Sequence, residues 1–281
     1  MKFGVSSFVW VSPFSNDTIG QLKKAHDFGF DIYEIAVEDP KSFSPELVQR
    51  EAERVGIQVT ICGAFGAERD ISSDDPVRRK KGCDYIKTLI DYATIIHSPY
   101  VAGPMYSATG KTRLLDAADK KKQITFIIEN MYLLCEYAAK RGIKLAIEPL
   151  NRYETDCVNT VAQGLELIEK VNMDNMGLLL DVYHMNIEEK NIGSAIRAAS
   201  GKIFNFHACA NDRGIPGNDH IDWKEIAAAL HDVHYNGSVV IESFTTAVTE
   251  IARAVSLWRP VAPSQDELAV NGLAFLKKTL K

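Results

Sequence analysis

The chain lacks the marks of several protein classes. Its five cysteines, Cys62, Cys83, Cys135, Cys157 and Cys209, are scattered and form no CxxC pair, so neither a zinc motif nor a secreted disulfide framework is indicated. They read as reduced thiols of a cytoplasmic protein. No apolar run approaches the ~20 residues of a transmembrane helix. The opening MKFGVSSFVW has neither the basic leader nor the long apolar stretch of a signal peptide. Positive charge is not in excess either: 32 Lys and Arg stand against 37 Asp and Glu, a formal net charge of −5. With the basic residues dispersed, nothing suggests a nucleic-acid or membrane surface as partner. No linker, low-complexity segment or charge block divides the chain, and no GxGxxG follows its first strand-like run.

What is present is one unit repeated from end to end. Eight β-branched or apolar runs alternate with longer amphipathic stretches: KFGVSSFV at the start, DIYEIAV (31–37), IQVTICG (57–63), PYVAGPM (99–105), IKLAIEP (143–149), MGLLLDV (176–182), KIFNFHA (202–208) and GSVVIES (237–243). Gly29, Gly56, Gly142 and Gly237 precede strands, as helix C-caps feeding short loops would. Strands that alternate with helices imply parallel βαβ units with right-handed crossovers. Eight such units in 281 residues predict a single-domain (β/α)8 TIM barrel over 1–281. The stretch SQDELAVNGLAFLKKTLK predicts a closing amphipathic helix.

In such barrels the chemistry sits at the C-terminal ends of the strands. The fifth run ends in LAIE at Glu148, the sixth in LLLD at Asp181, the seventh in FNFH at His207 and the eighth in VVIE at Glu242. Any one of these residues alone reads as a solvated strand end or the N-cap of the next helix. Four on consecutive strands deliver three carboxylates and one imidazole to one rim, and buried acids need a partner. The set suits one divalent cation, Mn²⁺, Co²⁺ or Mg²⁺. A cation beside two glutamates suits proton transfer next to a carbonyl: one glutamate removes a proton from carbon, the other returns it on the opposite face, and the carbon inverts.

The segments EPLNRYETDCVNT (148–160), LDVYHMNIEE (180–189), FHA with an Arg six residues after its His, and VVIESF (239–244) resemble the ketose 3-epimerases. These are the D-tagatose and D-allulose (D-psicose) 3-epimerases of the xylose-isomerase-like barrel superfamily. The resemblance runs over essentially the whole chain. It implies a metal held by Glu148, Asp181, His207 and Glu242, and Glu148 and Glu242 as the acid/base pair at C3 of a free ketose. It further implies Glu154, His184 and Arg213 on the C1–C3 end of the sugar, and a homodimer or homotetramer. Ser6, Cys62 and Phe244 are the expected wall of the pocket for the rest of the sugar. Two departures bear on substrate. The segment after the seventh strand is ANDRGIPG (210–217), where Ala210 replaces an acid and Asp212 lies beside the Arg, and Ser6 stands where some members carry a large aromatic.

Other residues read more plainly. Trp10, Phe65 and Tyr106 fall near strand ends but serve equally well as core or loop anchors. Glu34, read as ending the second strand in YEIAV, is a candidate for supporting the metal site from behind. His220 belongs to a segment that caps the helix starting near Trp223, with Asp222 as N-cap. His26 and His97 fit helix ends, and RRKKG (78–82) fits a solvated helix face. Asp181 and His184 are expected to divide their tasks, the acid on the metal and the histidine on the sugar, with Glu188 and Glu189 starting the sixth helix. Related barrel enzymes reuse the same ligands: aldose–ketose or hydroxypyruvate-type isomerases, and 3-keto-glycoside lyases or C-deglycosidases. A metal-dependent DNA-repair endonuclease would need more ligands and a basic face, and a sugar-binding protein without catalysis would not need two opposed glutamates.

Overall fold

Eight short parallel strands pair in chain order and close on themselves. The computed structural model describes residues 1–280. The strands are β1 (Lys2–Ser6), β2 (Ile32–Val37), β3 (Gln58–Gly63), β4 (Tyr100–Gly103), β5 (Lys144–Ile147), β6 (Met176–Asp181), β7 (Ile203–Ala208) and β8 (Ser238–Ile241). Closure comes from β1 lying against β8, Phe3 opposite Val239 and Val5 opposite Ile241. The helices are α1 (Gln21–Asp27), α2 (Pro45–Val55), α3 (Pro76–Ile96), α4 (Ala117–Ala139), α5 (Val161–Val171), α6 (Val182–Glu188), α7 (Ile192–Ala198), α8 (Trp223–Asp232), α9 (Thr249–Ala254) and α10 (Gln265–Thr279). The expected single-domain (β/α)8 barrel is the observed fold, and α10 is the expected closing helix.

Local chemistry sets the element ends. Ser44, Asp75, Asp116, Asp222 and Ser264 each accept a hydrogen bond from the first turn of the helix they precede, a cap worth about 1 kcal/mol. Thr160 and Gln163 form a reciprocal capping box at α5. Gly56 ends α2 in the left-handed region with φ +82°, where its missing side chain removes the steric cost. Gly29 and Gly142 also have positive φ, whereas before β8 that role falls to His234 rather than Gly237. The core is continuous between the barrel wall and its helices, and among the described residues no helix is long and apolar enough to cross a membrane.

Two differences from the sequence reading concern the site. The first strand stops at Ser6, because the Ser6 hydroxyl accepts from Phe8 N and starts a short 3₁₀ turn over Ser7–Val9. Glu188 and Glu189 end α6 rather than start it. The helix begins directly after β6, since Oδ1 of Asp181 accepts from Tyr183 N at 2.7 Å and His184 N at 3.3 Å. Glu188 then pairs with Arg152 and Glu189 accepts from Val161 N at the start of α5.

Candidate active site

The barrel's register brings the strand-end residues together. Asp181 and His207 are direct ladder partners across β6 and β7, and His207 is opposite Val240 on β8, two residues before Glu242. Glu148 and Glu242 each follow the last residue of their strand, Ile147 and Ile241. One ligand atom from each of Glu148, Asp181, His207 and Glu242 lies within 4.8 Å of the others. All four side chains are buried, His207 completely.

The electrostatics of this group call for a cation. Four acids, Glu34, Glu148, Asp181 and Glu242, are buried there, with Arg213 as the only buried permanent positive charge among the described residues. Burial, and then the charge of Glu242, push the Glu148 carboxyl well above its usual range. Burial opposes ionisation of Asp181 and Glu242 too, but in both Arg213 and His207 outweigh it and hold the carboxyl down. For His207, burial is outweighed by Glu34, Glu242 and Asp181, and the imidazole is pushed well up. Nδ1 of His207 has no hydrogen-bond partner although fully buried. It faces Asp181 at 3.6 Å and Glu242 at 3.5 Å. An orphaned ring nitrogen among three carboxylates is a donor set that one divalent cation satisfies.

The other expected residues take up distinct places. Nη1 of Arg213 spans Asp181 at 2.7 Å and Glu242 at 3.0 Å, while Nη2 lies 3.1 Å from Nε2 of His184. Arg213 is held in the left-handed region at φ +67°, a conformation non-glycine residues rarely adopt and one found at sites that over-determine it. Here Ser243 Oγ donates to Arg213 O at 2.6 Å, and Gly214 N donates to Asp212. Asp212, the departure noted beside the Arg, therefore works as a turn residue and also meets Arg259 at 3.2 Å. The guanidinium is flanked by the rings of Tyr183 and Phe244, 4.2 and 5.3 Å from Cζ.

His184 sits in the first turn of α6, its ring turned into the cluster, with Nε2 3.7 Å from Glu148 Oε1. Burial first, with Arg213 adding to it, lowers its pKa against the pull of Asp181. Asn151 N donates to Nδ1 at 3.1 Å and fixes that edge of the ring. Asn151, 1% exposed, also donates through Nδ2 to Glu154 at 2.8 Å. Glu154 thus joins His184 through an asparagine that the sequence reading left unassigned, although it lies in the NRYE motif.

The remaining residues are less closely tied to the acids. Phe244 lies against Phe8, ring centroids 5.2 Å apart and tilted by 39°, in one cluster with Ile251, Ala252 and Leu257 of the segment after β8. Ser6 is buried, with its hydroxyl engaged by Phe8 N. Cys62 packs in the barrel interior with Tyr100, Ala102, Ala146 and Leu179. Burial, then Glu34 and Glu148, raise its thiol pKa well above the usual range, so it is a protonated wall residue and no nucleophile. Trp10 turns away from the site, bonding Asp266 at 2.8 Å, and Phe65 and Tyr106 are core. His220 lies on the surface near Asn186.

The chain is similar to known proteins over nearly its whole length. The family model described as xylose isomerase-like TIM barrel matches residues 22–279. A probable ketose 3-epimerase of Synechocystis sp. is 36% identical over 99% of this chain and 96% of its own. A D-psicose 3-epimerase of Agrobacterium fabrum is 30% identical over 100% and 99%. A solved structure of an L-ribulose 3-epimerase superposes with a TM-score of 0.94 at 30% identity, covering 99% of this chain and 94% of that one. On these matches the chain belongs to the xylose isomerase-like TIM barrel family and, within it, to the ketose 3-epimerases, enzymes of the isomerase class.

Proposed function

We propose that this protein inverts C3 of a free ketose, using Glu148 and Glu242 as the two proton-transfer groups. The observation that carries the reading is that the two glutamates belong to one buried ligand group with Asp181 and His207, on strands separated by β6 and β7. A divalent cation held by these four residues, Mn²⁺ before Co²⁺ or Mg²⁺, would supply Lewis-acid polarisation of the ketone.

The chain's own residues do the rest. One glutamate takes the proton from C3, and the C–H electron pair moves toward the C2 carbonyl to give a cis-enediolate. The other glutamate delivers a proton to the opposite face, which inverts C3 without change of redox state. Arg213, with free hydrogen-bonding capacity next to both Asp181 and Glu242, is the donor fork for the oxygens at the reacting end. His184 turns its Nε2 edge toward a sugar hydroxyl, the ring held at that angle by Asn151. Phe8 and Phe244 form an apolar wall and keep water from the enediolate face.

The test is a panel of free ketoses with Mn²⁺ in deuterium oxide, followed by NMR. Deuterium at C3 with appearance of the C3 epimer is the expected result. Exchange confined to C1 with an aldose appearing would replace the reading by isomerisation, and consumption of 3-oxo-glycosides alone would replace it by lyase chemistry. A homo-oligomer, dimer or tetramer, is part of the reading. It is supported by the exposed apolar side chains of Leu114, Tyr153 and Trp258, and sedimentation velocity giving a monomer at micromolar concentration would remove it.

A further inference from the structure

A polar chain crosses the barrel interior beneath the ligand group, where packed apolar side chains are the rule. At its centre is Glu34, in the middle of β2 and completely buried. Oε2 of Glu34 accepts from Asn205 Nδ2 at 2.8 Å and from Thr60 Oγ1 at 3.3 Å. Its other oxygen, Oε1, lies 2.7 Å from Nε2 of His207. Glu34 thus reaches inside the barrel from β2 to β7, past β1 and β8.

The far side of the same ring carries the unpartnered Nδ1 that faces Asp181 and Glu242. A carboxylate in the barrel interior is costly to bury, and Asn205 and Thr60 supply the donors that keep it in place. The arrangement has a consequence for the imidazole. A carboxylate oxygen accepts, so Nε2 keeps its hydrogen, and Nδ1 is the nitrogen that gives up its proton to take a cation. A ring pinned on one edge also cannot rotate the other edge away from the acids.

We propose that Glu34 is the positioning residue of the metal centre: through Nε2–H of His207 it fixes the ring's tautomer and direction, so that Nδ1 completes the ligand set. Glu34 itself touches neither cation nor sugar. The inference rests on the reading of Glu148, Asp181, His207 and Glu242 as metal ligands. Groups in this position change metal affinity by about 10–100-fold when removed.

The deciding variant is Glu34→Gln, which keeps the side-chain volume. Its single oxygen cannot serve both sides, so an amide N–H meets either Asn205 Nδ2 or His207 Nε2–H. Mn²⁺ titrated into each protein is followed by the EPR signal of free Mn²⁺, with near-UV circular dichroism and metal-free melting to establish the folded fraction. Glu34→Gln is expected to weaken Mn²⁺ binding by about tenfold or more per folded molecule, and Glu34→Ala by about a hundredfold. Wild-type affinity in folded Glu34→Gln overturns the inference, because a purely structural role would change folding without changing affinity. If Glu34→Ala does not fold, Glu34→Gln decides alone. Absence of Mn²⁺ binding by the wild-type chain would instead refute the ligand assignment, so the two failures are distinguishable.

Discussion

Replacing Glu242 by glutamine will lower kcat for C3 epimerisation by at least about a thousandfold, within the range that positioned general acids and bases contribute, while leaving a folded protein. The substitution conserves volume at a buried position, so the barrel has no cavity to absorb. What it removes is one of the two carboxylates on which inversion depends, a carboxylate that accepts from Arg213 Nη1 at 3.0 Å and lies 3.5 Å from His207 Nδ1. Proton exchange separates the two-glutamate reaction from a one-glutamate alternative. In deuterium oxide, Glu242→Gln retains slow washout of the C3 hydrogen only from the epimer whose C–H bond faces Glu148, and the product keeps its configuration. Glu148→Gln gives the complementary pattern from the other epimer. The measurement is the deuterium content and configuration of C3 in each epimer over time. If Glu242→Gln still epimerises within tenfold of wild type, Glu242 is not one of the two groups and the assignment fails. A protein that only bound sugars would show no exchange with either form.

The barrel itself was legible because its repeat is coarse. Apolar runs that end in short polar loops, alternating with amphipathic stretches, survive errors of a few residues at each boundary. The ligand group was legible for the same reason: Glu148, Asp181, His207 and Glu242 occupy equivalent places on successive runs, and closure of the barrel converts equivalence into proximity. Finer local chemistry was not. KFGVSSFV reads as an unbroken strand, yet the Ser6 hydroxyl caps a turn inside it. Glu188 and Glu189 look like the acidic start of a helix because negative charge suits an N-terminus, but Asp181 already supplies the cap. Long-range partners could not be named. YEIAV made Glu34 a candidate for supporting the metal site, but nothing in it says that its partner is a histidine 173 residues later. Asn151 belongs to a legible motif, but its bond to His184 exists only once β5 and β6 are side by side.

Asp181→Asn will weaken divalent-cation binding by more than about a hundredfold, whereas His184→Ala will leave it within a few-fold and lose turnover instead. The acid's two oxygens have separate tasks. Oδ1 caps α6, and an asparagine carbonyl can keep that bond. Oδ2 faces His207 at 3.6 Å and takes Arg213 Nη1 at 2.7 Å. In the asparagine variant an amide N–H points at the guanidinium, so the cation loses one negative charge and one carboxylate oxygen, and Arg213 keeps only Glu242 as its carboxylate partner. His184 is three residues further on, already in the helix. Its Nδ1 is taken by Asn151, and its Nε2 sits beside Arg213 and Glu148 without forming part of the four-residue group. Removing it therefore costs a sugar contact, seen as a raised KM or a lowered kcat in a protein that still binds Mn²⁺. The pair of titrations, with the kinetics of the His184 variant, distinguishes neighbours from co-ligands: equal loss of metal in both would make His184 a ligand, and retained metal in Asp181→Asn would remove Asp181 from the set.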